Sequence, residues 1–399
     1  VVYPVCIVFL FFSSKEKQTI QKSFPDAFTA SMILSLIIFS WALYQTSGHQ
    51  IGFIYREGLR GLIFALIFYF LDIIKLGDEE AKEITTTVFK VVLLLTITVS
   101  FAGVVKFLYV TSTEHHNIYL GVCKIGCSPP GTSLMYDYNF FALSCLYGIA
   151  TCLYFVKKEQ NGSFQFLILI SMGLILSTGY LTGSRRFLII ALAFSLPIFL
   201  LVFQIPQKQR LTSAMLKSAQ KYYGLNLNGA YAILLILLVP TLLFAHFFTS
   251  DTATQSLAFQ PLDRIQASLS GNTASRLDRW LYALTEFYKN PTIFGSGFSY
   301  RQDFACEFSN CEGNDYPHNP ILSALLYGGV FGAMLTTLIF LHALYLSYKC
   351  FLEGFRKQVV AFFMLITVLY CLISGDTIFS TTILFSTLLL VKINSKSRI

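Results

Sequence analysis

Two arginines stand side by side in Thr182-Gly183-Ser184-Arg185-Arg186, a second pair, Arg276 and Arg279, sits one helical turn apart, and His318 immediately precedes Asn319-Pro320. A guanidinium stays charged and presents a planar fork of donors, so paired arginines suit a dianion such as a phosphate or diphosphate better than lysines do. Imidazole is the side chain most often used as a general base near neutral pH. Together these residue types point to chemistry on a phosphorylated group, with arginines holding charge and a histidine handling a proton. Each has a plainer reading too. A lone histidine is more often structural, and Arg276 and Arg279 could simply solvate one side of a helix.

The elements that must position these residues are membrane helices. With 55% hydrophobic and 13% charged residues over 399 positions, the chain cannot wet the surface of a soluble globule. Apolar runs fall near 1–12, 27–45, 51–74, 91–112, 139–156, 164–182, 187–204, 229–249, 319–348, 358–374 and 377–393. Most approach the roughly 20 residues that cross a bilayer as helix, which predicts an all-α, polytopic transmembrane bundle of about 11 to 12 spans. The chain opens on Val1 inside an apolar run, so a further helix is expected before it, and no cleavable signal peptide is recognisable.

Assigning the loops alternately to the two sides places most of the 29 lysines and arginines on one of them, including Lys15, Lys75, Lys157, Arg210, Lys357 and Lys392. By the positive-inside rule that side, with the C-terminus, is cytoplasmic, and the Arg185 turn faces outward. This bias accounts for the +8 net charge, so no nucleic-acid partner is inferred. Cys123 and Cys127 then share one outer loop and Cys306 and Cys311 another, where oxidation is permitted, as two local disulfides or as cross-loop pairs. The remaining five cysteines lie in or beside spans and read as packing residues. A charge at the membrane costs roughly 2.5 to 3.5 kcal/mol even on a lenient scale, so Arg185 and Arg186, set between runs 164–180 and 187–202, mark a functional site.

The long outer loop, about 250–317, carries the densest chemistry. Ser275-Arg276-Leu277-Asp278 has capping-box spacing, and Leu277, Trp280, Leu281, Leu284, Phe287 and Tyr288 recur at helical period until Asn290-Pro291. An amphipathic helix is therefore expected against the membrane surface or the bundle. Asn319 is a good N-cap and Pro320 a good first helical residue, which places His318 at the mouth of a membrane helix, where free amides and a partial positive charge favour anions. Gly328, Gly329 and Gly332 read most simply as close helix packing. Asp376, at the tip of the last helical hairpin, reads as a cap for the final helix, with orientation of an arginine as the alternative. There is no Walker A sequence, and neither His115-His116 nor the Cys123/Cys127 pair has partners at metal-binding spacing, so neither a metal nor a cofactor is predicted. The arginines and His318 share the outer side, and a diphosphate-linked lipid in the outer leaflet is the natural ligand.

Taken in order, Thr182-Gly183-Ser184-Arg185-Arg186, Ser275-Arg276-Leu277-Asp278-Arg279-Trp280, Asn290-Pro291, Gly295-Ser296-Gly297, and His318-Asn319 followed by Gly329-Val330-Phe331-Gly332 resemble the O-antigen ligase and polymerase family. Asp137-Tyr138-Asn139-Phe140 is similar to another recurrent family element, and the resemblance covers about 130–393. It implies a metal-independent, inverting glycosyltransferase of the GT-C type, which takes a glycan from undecaprenyl diphosphate and gives it to lipid A-core or to another lipid-linked glycan. Carried over by position, it implies Arg185, Arg276 and His318 as the catalytic group, with Arg186, Arg279, Asn319 and Asp376 as substrate-binding neighbours.

The domain expectation is N-terminal helices over 1–129, a ligase-like membrane domain over 130–393 that includes the periplasmic loop 250–317, and a cytoplasmic tail over 394–399. The expected location is a bacterial inner membrane with the active site facing the periplasm. Ligase is favoured over polymerase because the spacing from His318-Asn319 to Gly329 and Gly332 looks like the ligase pattern and only one outer loop is long. A flippase for lipid-linked sugars is the alternative from another class; the chain shows no internal repeat of the kind many transporters carry.

Overall fold

A computed structural model describes residues 26–46, 51–73, 76–112, 131–134, 138–158, 162–184, 186–187, 190–191, 276–308, 311, 315–380 and 382–395. Among them every regular element is a helix: α1 (Ala27–Gln45), α2 (Ile51–Ile73), α3 (Asp78–Ser112), α4 (Tyr138–Lys158), α5 (Gly162–Leu181), α6 (Arg276–Lys289), α7 (Tyr300–Phe308), α8 (Pro320–Phe351), α9 (Phe355–Ser374) and α10 (Thr382–Ser395). Six of these, α1, α3, α4, α5, α8 and α9, are long and apolar enough to cross a membrane. The apolar runs expected at 1–12, 187–204 and 229–249 fall wholly or largely outside the described residues, as do Cys123, Cys127, His115 and His116.

The chain forms two compact units, one built from Val1–Val88 with Ser270–Ile399 and the other from Phe89–Leu269. In the first, α8 packs on α1, α9 and α10, while α1 packs on α2. Lipid is as apolar as a leucine side chain, so close packing and polar pairing, more than removal of surface from water, must hold such helices together. Small residues permit it. A Cβ on Gly61 of α2 would strike the ring of Phe379, and one on Gly328 of α8 would meet Ile38 of α1 at 2.7 Å. Phe39 of α1 is fully buried and meets Phe298, Phe379 and Tyr327 at ring-centroid distances of 5.1, 5.2 and 5.8 Å.

Helix α8 is broken near its start, at Gly329, where φ is 66° and ψ is −163°. Residues just before α7 fill the break. The amides of Val330 and Phe331 donate to the carbonyls of Thr292 and Ile293 at 3.2 and 3.1 Å, and the amides of Ser296 and Gly297 donate to the carbonyls of Leu326 and Tyr327 at 3.3 Å each. A non-helical stretch at membrane depth needs such replacement partners. The packing role expected for the three glycines holds for Gly328 and Gly332, whereas Gly329 is a conformational requirement.

At the other end of α8, the unit buries charge. Lys392 of α10 is 1% exposed and pairs with Asp72 at 2.8 Å and Asp26 at 3.1 Å, while donating to the Thr29 hydroxyl at 2.7 Å. Its ammonium also lies 5.5 Å from the Phe28 ring centre. Sequence reading placed Lys392 among the flanking charges of the last span; in the structure it ties α10 to the C-terminal end of α2 and the N-cap of α1. Intramembrane charges are tolerated when paired in this way.

In the second unit α4 packs on α5, and Gly148 of α4 leaves room for Thr96 of α3 and Ile175 of α5. Cys145 and Cys152 of this unit, like Cys350 and Cys371 of the first, are buried thiols, as expected of packing residues.

Candidate functional site

The arginine turn belongs to the second unit. Helix α5 ends at Leu181, and the chain reverses through Gly183 at φ 71°. The Ser184 hydroxyl then accepts from the Phe187 amide at 3.4 Å, the bond of an N-cap to the third helical residue, so Arg186 sits in the first turn of a new helix. Arg186 is half-buried there, and Arg185 lies outside the described residues. Two segments brace this turn. Ser184 Oγ donates to Asn139 Oδ1 of α4 at 3.0 Å. The 131–133 turn packs on the end of α5, with Thr132 donating to the Thr178 carbonyl at 2.6 Å, and is held by Lys106 Nζ, which donates to the carbonyls of Gly131 and Ser133 at 3.1 and 2.7 Å. A guanidinium on a helix's first turn adds to the partial positive charge of the free amides, which favours a bound anion.

The other candidates belong to the first unit. Helix α6 stops at Lys289, before Asn290-Pro291, as the pattern predicts; Ser275 of the expected capping box lies outside the described residues. Its orientation is the finding. Leu277, Leu281, Leu284 and Tyr288 are exposed, whereas Ala283 is buried and Arg276, Arg279, Trp280 and Phe287 are half-buried. The arginine side thus turns toward the protein. Arg279 donates to Asp315 Oδ2 at 2.8 Å, and its guanidinium lies 4.6 Å from the Phe308 ring centre. Its side chain is only 16% exposed, which rules out a merely solvated arginine at this position.

The same carboxylate faces His318. Asp315 Oδ1 accepts from the Tyr316 amide at 2.8 Å and lies 3.6 Å from His318 Nε2, while the Tyr316 and His318 rings stand 4.3 Å apart. His318 has φ 59°, a left-handed conformation uncommon outside glycine that sets the imidazole just ahead of α8. Asn319 caps that helix as expected, its Oδ1 accepting from the amides of Ile321 and Leu322 at 2.9 and 3.2 Å, with Pro320 in the first turn. Its Nδ2 donates to the Leu372 carbonyl at 3.1 Å, which ties the mouth of α8 to α9.

Asp376 does not cap the last helix. Its carboxylate accepts from the Ser323 hydroxyl at 3.0 Å and the Tyr300 hydroxyl at 3.1 Å and forms an ion pair with Arg301. Orientation of an arginine, the alternative reading, is what occurs, and the arginine is one that sequence reasoning passed over. Arg301 is 3% exposed and has Glu57 of α2 at 3.8 Å; Glu57 in turn accepts from Thr377 at 2.5 Å. Burial alone would depress the guanidinium's proton affinity, but Asp376, with Tyr300 and Glu57, outweighs it, so Arg301 stays a cation. Helix α7, which carries Tyr300 and Arg301, has no counterpart among the elements expected from the sequence. The signal was faint: Tyr300 and Phe304 stand one turn apart and are buried, in a helix of nine residues.

Cys306 and Cys311 form a disulfide, so this pair is local. It joins the end of α7 to the segment that leads to Asp315, and the Cys311 amide donates to the Ala305 carbonyl at 2.9 Å. Closing so short a loop removes about 2 kcal/mol of unfolded-state entropy on the chain-entropy model. Cys306→Ser with Cys311→Ser should lower the unfolding temperature of the purified protein, and a reductant should do the same to the wild type but nothing further to the double variant.

Residues 166–337 match the family model described as O-antigen ligase, a stretch that takes in Arg185, Arg186, Arg276, Arg279, His318 and Asn319 and stops short of Asp376. No curated protein and no solved structure matches the chain. The match supports a membrane glycosyltransferase of the ligase or polymerase type.

Proposed function

Because residues 166–337 match the family model described as O-antigen ligase, we propose that the chain transfers a glycan from undecaprenyl diphosphate to an acceptor sugar at the periplasmic face of a bacterial inner membrane. The observation that carries this reading is the convergence of Arg279, Asp315 and His318 at the N-terminus of a membrane-length helix, inside the matched stretch. In the reaction an oxygen of the acceptor hydroxyl attacks the anomeric carbon from the side opposite the diphosphate. The bond from that carbon to the diphosphate oxygen breaks, its electron pair leaves with the diphosphate, and the hydroxyl proton passes to His318. Arginines aimed at the leaving group stabilise the charge that develops there more than they stabilise the ground state, which is what accelerates a reaction. In the unit that holds His318 that role falls to Arg276 and Arg279, and the family resemblance assigns Arg185 and Arg186 to donor binding as well; no metal is required, and configuration at the anomeric carbon inverts.

Between acceptors we favour lipid A-core, and hence the ligase reaction of lipopolysaccharide assembly, on the spacing of His318-Asn319 to Gly329 and Gly332. The exposed leucine face of α6 suits a helix lying in the lipid interface, where a polyprenyl donor would be met. The test is transfer in nanodiscs from undecaprenyl diphosphate-linked glycan, with lipid A-core or a second donor as acceptor, with and without EDTA. Product on lipid A-core identifies a ligase, and a lengthened lipid-linked chain identifies a polymerase. His318→Ala should lower the rate by about 10²-fold or more, the usual contribution of a positioned base, and Arg276→Ala should also lower it. Absence of transfer to either acceptor by folded wild-type protein would favour a lipid-linked sugar transporter instead.

A further inference from the structure

We infer that Asp315 is a positioning residue of the transfer site, one carboxylate that orients the imidazole of His318 and anchors the guanidinium of Arg279. The inference rests on His318 accepting a proton during transfer and adds the group that makes it able to do so.

The geometry divides the carboxylate cleanly. Oδ2 takes Arg279, and Oδ1 takes the Tyr316 amide and faces His318 Nε2. The Tyr316 bond is local and fixes the carboxylate relative to its own backbone, so the side chain is oriented before substrate arrives. At 3.6 Å the approach to Nε2 is an ion-pair distance and longer than a formed hydrogen bond. It is the distance at which an imidazole gains a partner when it becomes charged. The side chain of Asp315 is 10% exposed, so little water competes for it.

A carboxylate behind an imidazole does two things. It selects the tautomer with the proton on the nitrogen facing it, which leaves the other nitrogen, here Nδ1, to accept a proton. It then stabilises the imidazolium that results. In the proposed reaction the proton leaves the acceptor hydroxyl for Nδ1, the positive imidazole pairs with Asp315, and Asp315 stays ionised throughout. The charged groups around His318 set the balance. Asp315 favours the imidazolium, and Arg279 of α6, paired with the same carboxylate, opposes it. Asp376, which feels the charge of Asp315, is itself neutralised in large part by Arg301 of α7. Asp315 is the group that the structure places beside the ring's nitrogen.

The decisive variants are Asp315→Asn, which preserves shape and an oxygen for the Tyr316 amide, and Asp315→Glu, which preserves charge. Two readouts are taken on full-length protein in nanodiscs. The first is the titration of the His318 ring by NMR, identified among the six histidines by its absence from His318→Gln. Loss of a neighbouring negative charge disfavours the imidazolium, so the His318 midpoint should move to lower pH in Asp315→Asn and return toward wild type in Asp315→Glu. The second is the rate of glycan transfer. Asp315→Asn should lower kcat by about 10-fold to 10²-fold, the usual effect of removing a group that orients a reacting residue, with the acid limb of the rate–pH profile displaced to lower pH.

A titration midpoint that stays put in both variants overturns the inference, even if transfer falls, because a purely structural role leaves the ring's titration alone. So does Asp315→Asn retaining the wild-type kcat while His318→Ala is inactive. If Asp315→Asn does not fold, Asp315→Ser, which keeps a small polar group without the charge, takes its place: a midpoint moved to lower pH supports the inference and an unmoved one overturns it. Wild-type protein that shows the titration shift but transfers no glycan would retire the proposed function while leaving the Asp315–His318 pairing in place.

Discussion

Arg301→Met should destabilise the folded protein by about 3–5 kcal/mol, the cost of stranding a buried charge. The reason is the company it leaves behind. Asp376 is 6% exposed and Glu57 is fully buried, so removal of the guanidinium that faces both leaves two buried carboxyl groups without it. At least one must then take up a proton or pull in water. Asp376→Asn should be costly too, but less so, because the amide still accepts from Tyr300 and Ser323. Glu57→Gln should be the mildest of the three, since its distance to Arg301, 3.8 Å, is the longest in the cluster and the Thr377 bond survives. Replacing both partners, Arg301→Met with Asp376→Leu, should recover much of the loss, because buried ion pairs often exchange for apolar residues at little cost. Unfolding in detergent by denaturant, followed for all four variants, measures this order. A recovered double variant that remains inactive in glycan transfer would show that the pair also holds the mouth of α8 in register, through Ser323 and Asp376.

Much of the frame was readable before any coordinates. Runs 27–45, 139–156, 319–348 and 358–374 became α1, α4, α8 and α9 with shifts of a few residues, because a membrane helix is announced by bulk hydropathy and ended by polar caps. Asn319-Pro320 was legible for the same local reason: a cap and a helix-starting proline act on their own neighbours. What hydropathy could not reach were contacts between residues distant in sequence. Arg301 meets Asp376 across 75 positions and Glu57 across a far longer stretch, and nothing in either segment's own pattern names the partner. Asp315 was missed for a different reason. It stands three residues before His318, near enough to notice, but it lies outside any periodic segment, and only the left-handed turn at His318 brings the ring back over the carboxylate. The amphipathic helix illustrates a third kind of limit. Its pattern predicted a helix correctly and left open which face meets protein; the leucines face away and the arginines inward, the reverse of a soluble helix, which fits the lipid-interface placement proposed above.

Gly329→Ala should be about as damaging as loss of the buried cation, and for a backbone reason. At φ 66° and ψ −163° the residue occupies a region open to glycine and almost closed to any side chain, which costs about 1–3 kcal/mol by itself. A Cβ there would also overlap the Ile293 carbonyl, and the loop that carries Ile293 cannot retreat. Its own amides and carbonyls are the partners that replace the helix bonds lost at the break, and a Cβ on Gly295 would in turn collide with the Tyr327 carbonyl. If α8 were forced straight, those four bonds would be given up, and the 292–297 segment would lose its seat. That segment leads directly into α7, and α7 leads to Asp315 and His318. The variant is therefore expected to lose transfer activity even in preparations where a folded fraction survives. Gly332→Ala provides the contrast: its Cβ would approach the Ala324 carbonyl at 2.8 Å, but Gly332 has no positive φ, so only a local adjustment of packing is required. Parallel thermal unfolding and transfer assays on the two variants separate conformational need from simple crowding. Equal, mild losses in both would mean that the break in α8 is not what holds the site.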